Sequence, residues 1–371
     1  MPALALLASV VPALAIGELA IRLALPQPRL VITPGGLYET DPPGRCRLTP
    51  GYEGRIYNRA EFSVPIRVNR YGLRGPEIGP PAASTLRVLA IGDSFVFGVG
   101  VGDDDTFVAE LARRLTRPGR PAEGLNAGVP TFGVPDAEGW LARHGTALEP
   151  DVVVLGIFLG NDLIDASPDR PAIHLVDGLM VPAASPGGVK AWLHRRSHLY
   201  VALKGLLERP GLAPLRARLG LTEPWTVRTL REELAIYHRD APRVLAPAIA
   251  ATDEALGRLA ERSRAGEFDL VALLIPSELQ LDSARWAAAL DRLDLDPGVH
   301  DPEVPGRIFR RLLTRHGIPA IDPAPELAAR MAAGEEIYFP LDRHWTAAGH
   351  VVAAAELARA LTAGLAGSGA G

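Results

Sequence analysis

Leu86-Arg87-Val88-Leu89-Ala90-Ile91-Gly92-Asp93-Ser94-Phe95 is the stretch on which the reading of this 371-residue chain turns. Its first six residues, apolar apart from Arg87, read as a buried strand. Gly92-Asp93-Ser94 ends that strand. Asp105 then stands as a cap for a helix over Phe107–Leu115, whose apolar positions Phe107, Val108, Leu111 and Leu115 share one face. A serine just past such a strand sits where open α/β sheets expose reactive groups. Taken alone, Gly-Asp-Ser is more often an ordinary turn, with Asp and Ser bonding local backbone.

The same alternation continues outward. Gly124–Ala127 is a weak strand, Asp136–Leu148 a helix with Trp140, Leu141 and His144 near one face, and Asp151–Phe158 a continuous apolar run typical of a strand buried on both faces. Strand, helix, strand, helix, strand predicts a parallel sheet with right-handed crossovers. Regularity lapses over 163–240. A hairpin is expected at Asp177-Gly178 and helix near Trp192–Leu207, which reads as an insertion over the sheet. The pattern returns with a helix near Val244–Ser263, a strand at Leu270–Ile275, a helix at Pro305–Arg315, a strand at Pro319–Ile321 and a last helix from Thr346 to Leu361. Residues 26–84, rich in Pro, Gly and Arg, read as a linker and N-terminal extension with strand-like runs such as Phe62–Val68. The Gly/Ala-rich tail 363–371 reads as disordered.

Composition narrows the function. The chain is 47% hydrophobic with net charge −4, and its pI is about 6.2 and its mean hydropathy +0.11. That supports a sizeable core and gives no polybasic footprint for nucleic acid. The single cysteine, Cys46, excludes an intramolecular disulfide and a cysteine-based zinc site. The histidines lack ligand spacing, so neither metal nor cofactor is expected. Pro2–Ile16 is uncharged and almost wholly apolar, followed by Glu18 and Arg22. Residues 1–25 therefore read as a membrane-anchor helix with the main domain extracytoplasmic; a cleaved signal with a secreted product, and a buried helix in a cytoplasmic protein, are the alternatives.

Three places carry the chemistry: Ser94, Gly160-Asn161-Asp162 after the strand Asp151–Phe158, and Asp342-Arg343-His344-Trp345 before the last helix. Acyl transfer needs a nucleophile, a base, a group to orient the base, and donors for the oxyanion. Ser94 supplies the hydroxyl, His344 the base and Asp342 its orienter. The Ser94 N–H and the Asn161 side chain supply donors. Each has a plainer reading: Asn161-Asp162 as a helix cap, His344 as a packed histidine beside Trp345, Asp342 as the cap of the last helix. A nucleotide-binding reading fails, because Ser94-Phe95-Val96-Phe97 is no phosphate-cradling glycine loop.

With these residues the chain resembles the SGNH (GDSL-type) hydrolase superfamily over about 85–362. Gly92-Asp93-Ser94 matches the first motif block, Asn126 to Gly133 the second, Gly160-Asn161-Asp162 the third and Asp342 to His344 the last. The resemblance implies a three-layer α/β/α, flavodoxin-like parallel sheet with a helical insertion. It implies Ser94 as nucleophile, His344 as base, Asp342 as orienter, and an oxyanion hole from Ser94, a backbone N–H of the second block, and Asn161. The family's usual oxyanion glycine corresponds to Thr131 here, with Gly128 as the fallback donor. The apolar N-terminus, the segment Val68-Asn69-Arg70-Tyr71-Gly72-Leu73-Arg74 and the insertion resemble a bacterial membrane-anchored subgroup. The family commonly spaces its last block Asp-x-x-His; Asp342-x-His344-Trp345 is similar to the branch that O-acetylates exopolysaccharides. The expected function is a serine-dependent acyl hydrolase for small O-acyl groups on a small molecule or carbohydrate. An O-acyltransferase on a polysaccharide and a non-catalytic carbohydrate-binding scaffold are the alternatives. Arg195, Arg196 and His198 in the insertion are candidates for anionic sugar contacts, or a solvated basic helix face.

Overall fold

The computed structural model describes residues 2–25, 35–41, 45–58, 61–80, 82, 84–170, 173–176, 179–182, 192–193, 196–207 and 225–368. Ahead of the main sheet lie two antiparallel pairs, β1 (Tyr38–Asp41) with β2 (Arg45–Leu48) and β3 (Glu53–Asn58) with β4 (Phe62–Arg67). Then come β5 (Leu86–Gly92), β6 (Ala122–Gly128) and β7 (Val152–Phe158). The expected hairpin follows as β8 (Ile173–Val176) and β9 (Leu179–Pro182), paired antiparallel. β10 (Asp269–Ile275) and β11 (Ala320–Ile321) complete the set.

β5, β6, β7, β10 and β11 form one parallel sheet in the order β11-β10-β7-β5-β6. The sheet's second strand lies on one side of its first and the third on the other, the flavodoxin-like 2-1-3-4-5 order. Strand alternation splits the core into two faces. Leu89 and Ile91, Val153 and Leu155, Leu270 and Leu274 point to one apolar cluster, which also holds Ala255, Leu256 and Phe309. Val88 and Ala90, Val152 and Val154, Val271 and Leu273 point to the other, with Phe107, Leu111, Val352 and Leu357. The first face is covered by the helices Val134–Trp140, Ala246–Arg264 and Val304–His316, the second by Phe107–Leu115 and Ala347–Ser368. Three layers result because each central strand is apolar on both sides.

Several expectations need correction. The helix Phe107–Leu115 is capped by Thr106, whose hydroxyl accepts from the Ala109 N–H, while Asp105 belongs to the preceding turn. The last helix continues to Ser368, past the expected start of a disordered tail, because Ala and Leu sustain it there. Residues 2–24 are helical. Among the described residues, however, no helix is long and apolar enough to cross a membrane, so the anchor role and the membrane as a partner are not supported.

That first helix instead docks on the insertion. The Glu18 carboxylate accepts from the N–H groups of His198 and Leu199 (2.9 Å each) and from Ser197 Oγ (2.7 Å). These amides start the helix His198–Leu207, where a helix leaves its N–H groups unbonded. Burial pushes the carboxyl up, but these bonds and Arg22 outweigh it and hold it at about 2. Of the basic trio in the insertion, His198 is buried, the Arg196 carbonyl is tied to Arg22, and Arg195 lies outside the described residues.

Candidate active site

Ser94 opens a short helix, Ser94–Phe97, at the end of β5, between β6 and β7 where the strand order reverses. Ligands of open α/β sheets bind at such switch points. Asp93 caps the helix, its Oδ1 accepting from the Phe95 N–H at 2.9 Å. The helix sits close on the strand ends because two positions lack a side chain. A Cβ on Gly128 would fall 2.0 Å from the Phe97 nitrogen, and one on Gly156 2.3 Å from Val96 Cγ2. Asn126 ties the loop after β6 to the same helix, donating to the Val96 carbonyl (2.9 Å) and accepting from the Gly128 N–H (3.0 Å). The far end is held by Arg74. Its side chain is 1% exposed. It donates to the carbonyls of Phe97 (2.7 Å), Gly98 (2.6 Å) and Val101 (2.5 Å) and pairs with Asp103 at 3.0 Å. The carbonyls a short buried helix leaves unbonded are thereby satisfied.

His344 lies over this helix. Its Nδ1 is 2.6 Å from Asp342 Oδ1, and its Nε2 is 2.8 Å from Ser94 Oγ. A carboxylate only accepts, so Nδ1 carries the proton and Nε2 is left to accept the Ser94 hydroxyl proton. Asp93 Oδ2 is the competing acceptor for Ser94, but at 3.3 Å. Phe95 packs against the imidazole with ring centroids 4.8 Å apart and meets the buried Trp345 edge-on at 5.3 Å. The loop is pinned by backbone bonds between Phe339 and His344 and between Arg343 and Phe339, both 2.9 Å. Glu61, just before β4, accepts from the N–H groups of Leu341 (2.6 Å) and Asp342 (2.8 Å).

The loops after β6 and β7 carry the candidate oxyanion donors. Thr131 has φ +78°, the left-handed region that a β-branched residue resists. It holds the conformation a glycine would take there freely. Gly128 does not serve as the fallback, because its N–H is already spent on Asn126. Asn161 precedes the short helix Asp162–Asp165, yet its side chain makes no capping bond, and its Oδ1 is buried without a hydrogen-bond partner. Asn161 is the N-cap through its carbonyl, which accepts from the Ile164 and Asp165 N–H groups, and its side chain is not used in the cap. Asp162 does the structural work there: Oδ2 accepts from the Phe158 N–H at 3.0 Å. Burial, then Asp93 and Asp165, pushes the Asp162 carboxyl well up, and burial pushes Asp165 up to about 7.

The structure thus joins Ser94, His344 and Asp342 by direct hydrogen bonds. It puts Thr131 and Asn161 in the loops that follow the two strands flanking β5. His350 is held apart: it is buried, accepts from the Phe107 N–H at 3.1 Å, and is pushed down to about 3 by burial, so it stays neutral. Sequence reasoning missed the supports. Arg74 lies in the quoted Val68–Arg74 segment and carried a signal. Glu61 carried none, since its partners are about 280 residues away.

No curated protein matches the chain in sequence. Solved structures similar to it include an acetyl xylan esterase, AlAXEase, at 13% identity and TM-score 0.40, covering 74% of this chain and 99% of that one. LAE5, an α/β hydrolase from the metagenome of Lake Arreo, Spain, has 17% identity and TM-score 0.38, with 75% and 94% covered. A lipase/acylhydrolase from Enterococcus faecalis has 14% identity and TM-score 0.39, with 74% and 95% covered. Residues 238–371 match the family model described as the SGNH hydrolase-like domain of the acetyltransferase AlgX. That match covers the part of the chain that supplies Asp342 and His344, and over those residues the chain is similar to the SGNH hydrolase-like domain.

Proposed function

We propose that this protein is a serine-dependent acyl hydrolase that cleaves small O-acyl esters through an acyl-enzyme on Ser94. One observation carries the reading: the unbroken relay from Asp342 Oδ1 to His344 Nδ1 (2.6 Å) and from His344 Nε2 to Ser94 Oγ (2.8 Å). As Ser94 Oγ attacks the ester carbonyl carbon, its proton passes to His344 Nε2. The imidazolium is stabilised by the Asp342 carboxylate. The negative charge on the former carbonyl oxygen is met by the N–H groups of Ser94 and Thr131 and the amide of Asn161. Collapse breaks the ester C–O bond, and the alcohol leaves with the proton from His344. Water, deprotonated by His344, then attacks the acyl carbon and frees Ser94.

A second reading replaces water with a sugar hydroxyl. Two observations favour it: the Asp342-x-His344 spacing and the match of 238–371 to the SGNH hydrolase-like domain of an acetyltransferase. Both readings share the first half-reaction and take an acylated small molecule or carbohydrate as substrate. The unit 85–362 is the catalytic part of this proposal. The test is incubation of the full chain with p-nitrophenyl acetate, with and without polysaccharide. Release of p-nitrophenol that is lost in Ser94→Ala supports the proposal. Acetyl groups on the polysaccharide favour transfer, and free acetate alone favours hydrolysis. A folded wild type that releases no p-nitrophenol above the Ser94→Ala background overturns both in favour of a binding scaffold.

A further inference from the structure

We propose that Arg343, the residue between the base and its orienter, is a positioning residue that ties the insertion helix Trp225–Ala235 to His344. The proposal rests on the reading of Ser94 and His344 given above. With a single residue between Asp342 and His344, the chain must turn sharply for the two side chains to meet at 2.6 Å. Arg343 makes that turn at φ +71°. This is a left-handed conformation that residues other than Gly, Asn and Asp rarely adopt, and where it persists the surroundings must impose it.

The guanidinium shows what imposes it. Nη1 and Nη2 donate to the two carboxylate oxygens of Glu233 at 2.7 and 2.8 Å, and Nε donates to Glu278 Oε1 at 2.6 Å. A planar fork bound at both tips fixes orientation as well as distance. The two acids are largely buried, at 14% and 7% side-chain exposure. They come from different segments: Glu278 follows β10, and Glu233 lies on the helix Trp225–Ala235 of the insertion. Both segments share one apolar cluster, in which Leu234 and Tyr237 meet Leu279 and Leu290, and the Tyr237 hydroxyl lies 2.8 Å from Ser277 Oγ. The Arg343 charge is thus matched on two sides. Its part is to hold the backbone turn, and with it the His344 ring, against the helix Trp225–Ala235 and the segment after β10.

Arg343→Gly separates this from a merely structural role, because glycine adopts the turn freely while losing the tie. The expected result with p-nitrophenyl acetate, read well below the melting midpoint, is a fall in kcat of tenfold or more with KM within twofold; the midpoint itself falls, because Glu233 and Glu278 lose their shared cation. Glu233→Gln should lower kcat in the same sense, and the double variant should be no worse than Arg343→Gly, since both break one linkage. The low-field proton resonance of His344 Nδ1–H should broaden or vanish in Arg343→Gly. Unchanged kcat in Arg343→Gly, or effects of the two substitutions that multiply, overturns the proposal. Fluorophosphonate labelling of the wild type separates the two claims. If Ser94 labels and Arg343→Gly keeps its kcat, only the positioning role fails; if Ser94 in folded wild type does not label, the site reading fails with it.

Discussion

Thr131 occupies a backbone conformation that its own side chain opposes, and substituting it by Gly and by Ala measures that opposition. At φ +78° a residue with a Cβ costs about 1–2 kcal/mol more than glycine. Against this, glycine loses about 0.5–1 kcal/mol through the greater freedom of its unfolded chain. Thr131→Gly is therefore expected to be close to neutral or slightly stabilising. Thr131→Ala keeps the left-handed cost and gives up a half-buried methyl, so it should lie below the glycine variant by about 0.5–1 kcal/mol. That order reverses the one found in helix interiors. The assay is urea unfolding followed by tryptophan fluorescence, paired with turnover of p-nitrophenyl acetate. Turnover should stay within about threefold of wild type in Thr131→Ala, since only the backbone N–H is asked to meet the oxyanion. If the alanine variant is as stable as the glycine variant, residue 131 is not left-handed. If Thr131→Ala loses a hundredfold in turnover, the side chain does the stabilising and the backbone assignment is wrong.

Asp342→Asn should leave the fold intact and lower kcat by about 10⁴, because the amide favours the wrong imidazole tautomer; a loss under tenfold in steady-state kinetics would remove Asp342 from the mechanism. Asn161→Ala removes one oxyanion donor and should lower kcat by about 10²–10³ with little change in KM; a rise in KM alone would make it a binding residue. Asp165 titrates at about 7 in the fold, against about 4 in an unfolded chain. Between those values the folded state holds more protons, so stability falls as pH rises through this window and stays lowered above it. Asp165→Asn removes that fall and should gain on wild type by at most about 4 kcal/mol between pH 4 and 8. Thermal melts across this range that differ by a constant offset would contradict it.

The central sheet is legible where strands are buried on both faces. β5, β7 and β10 read as apolar runs because no solvent-facing side breaks them. β6 reads weakly, since Glu123 and Asn126 interrupt it: Glu123 pairs with Arg87 at 2.8 Å and Asn126 holds the helix Ser94–Phe97. The helices Glu278–Leu281, Ser283–Arg292 and Ala324–Ala332 escape, being short and, in the last two, alanine-rich, which blurs an apolar stripe. In the site, Ser94, Asn161, Asp342 and His344 show in the sequence because each follows a strand or precedes a helix at a marked spacing. What holds them does not. Arg343 meets Glu233 across 110 residues, and only the fold brings that acid to that arginine. Thr131 is a third kind of case: its position was readable, but its φ was not, because a threonine gives no sign of a left-handed turn.

Intact-mass analysis after exposure to a fluorophosphonate tests the account most directly. Folded wild-type protein should gain one adduct, mapped by peptide sequencing to Ser94, while Ser94→Ala gains none and His344→Ala reacts far more slowly. A folded wild type that stays unlabelled, or a Ser94→Ala variant that labels as fast as wild type, would contradict the claim that Ser94 is the nucleophile.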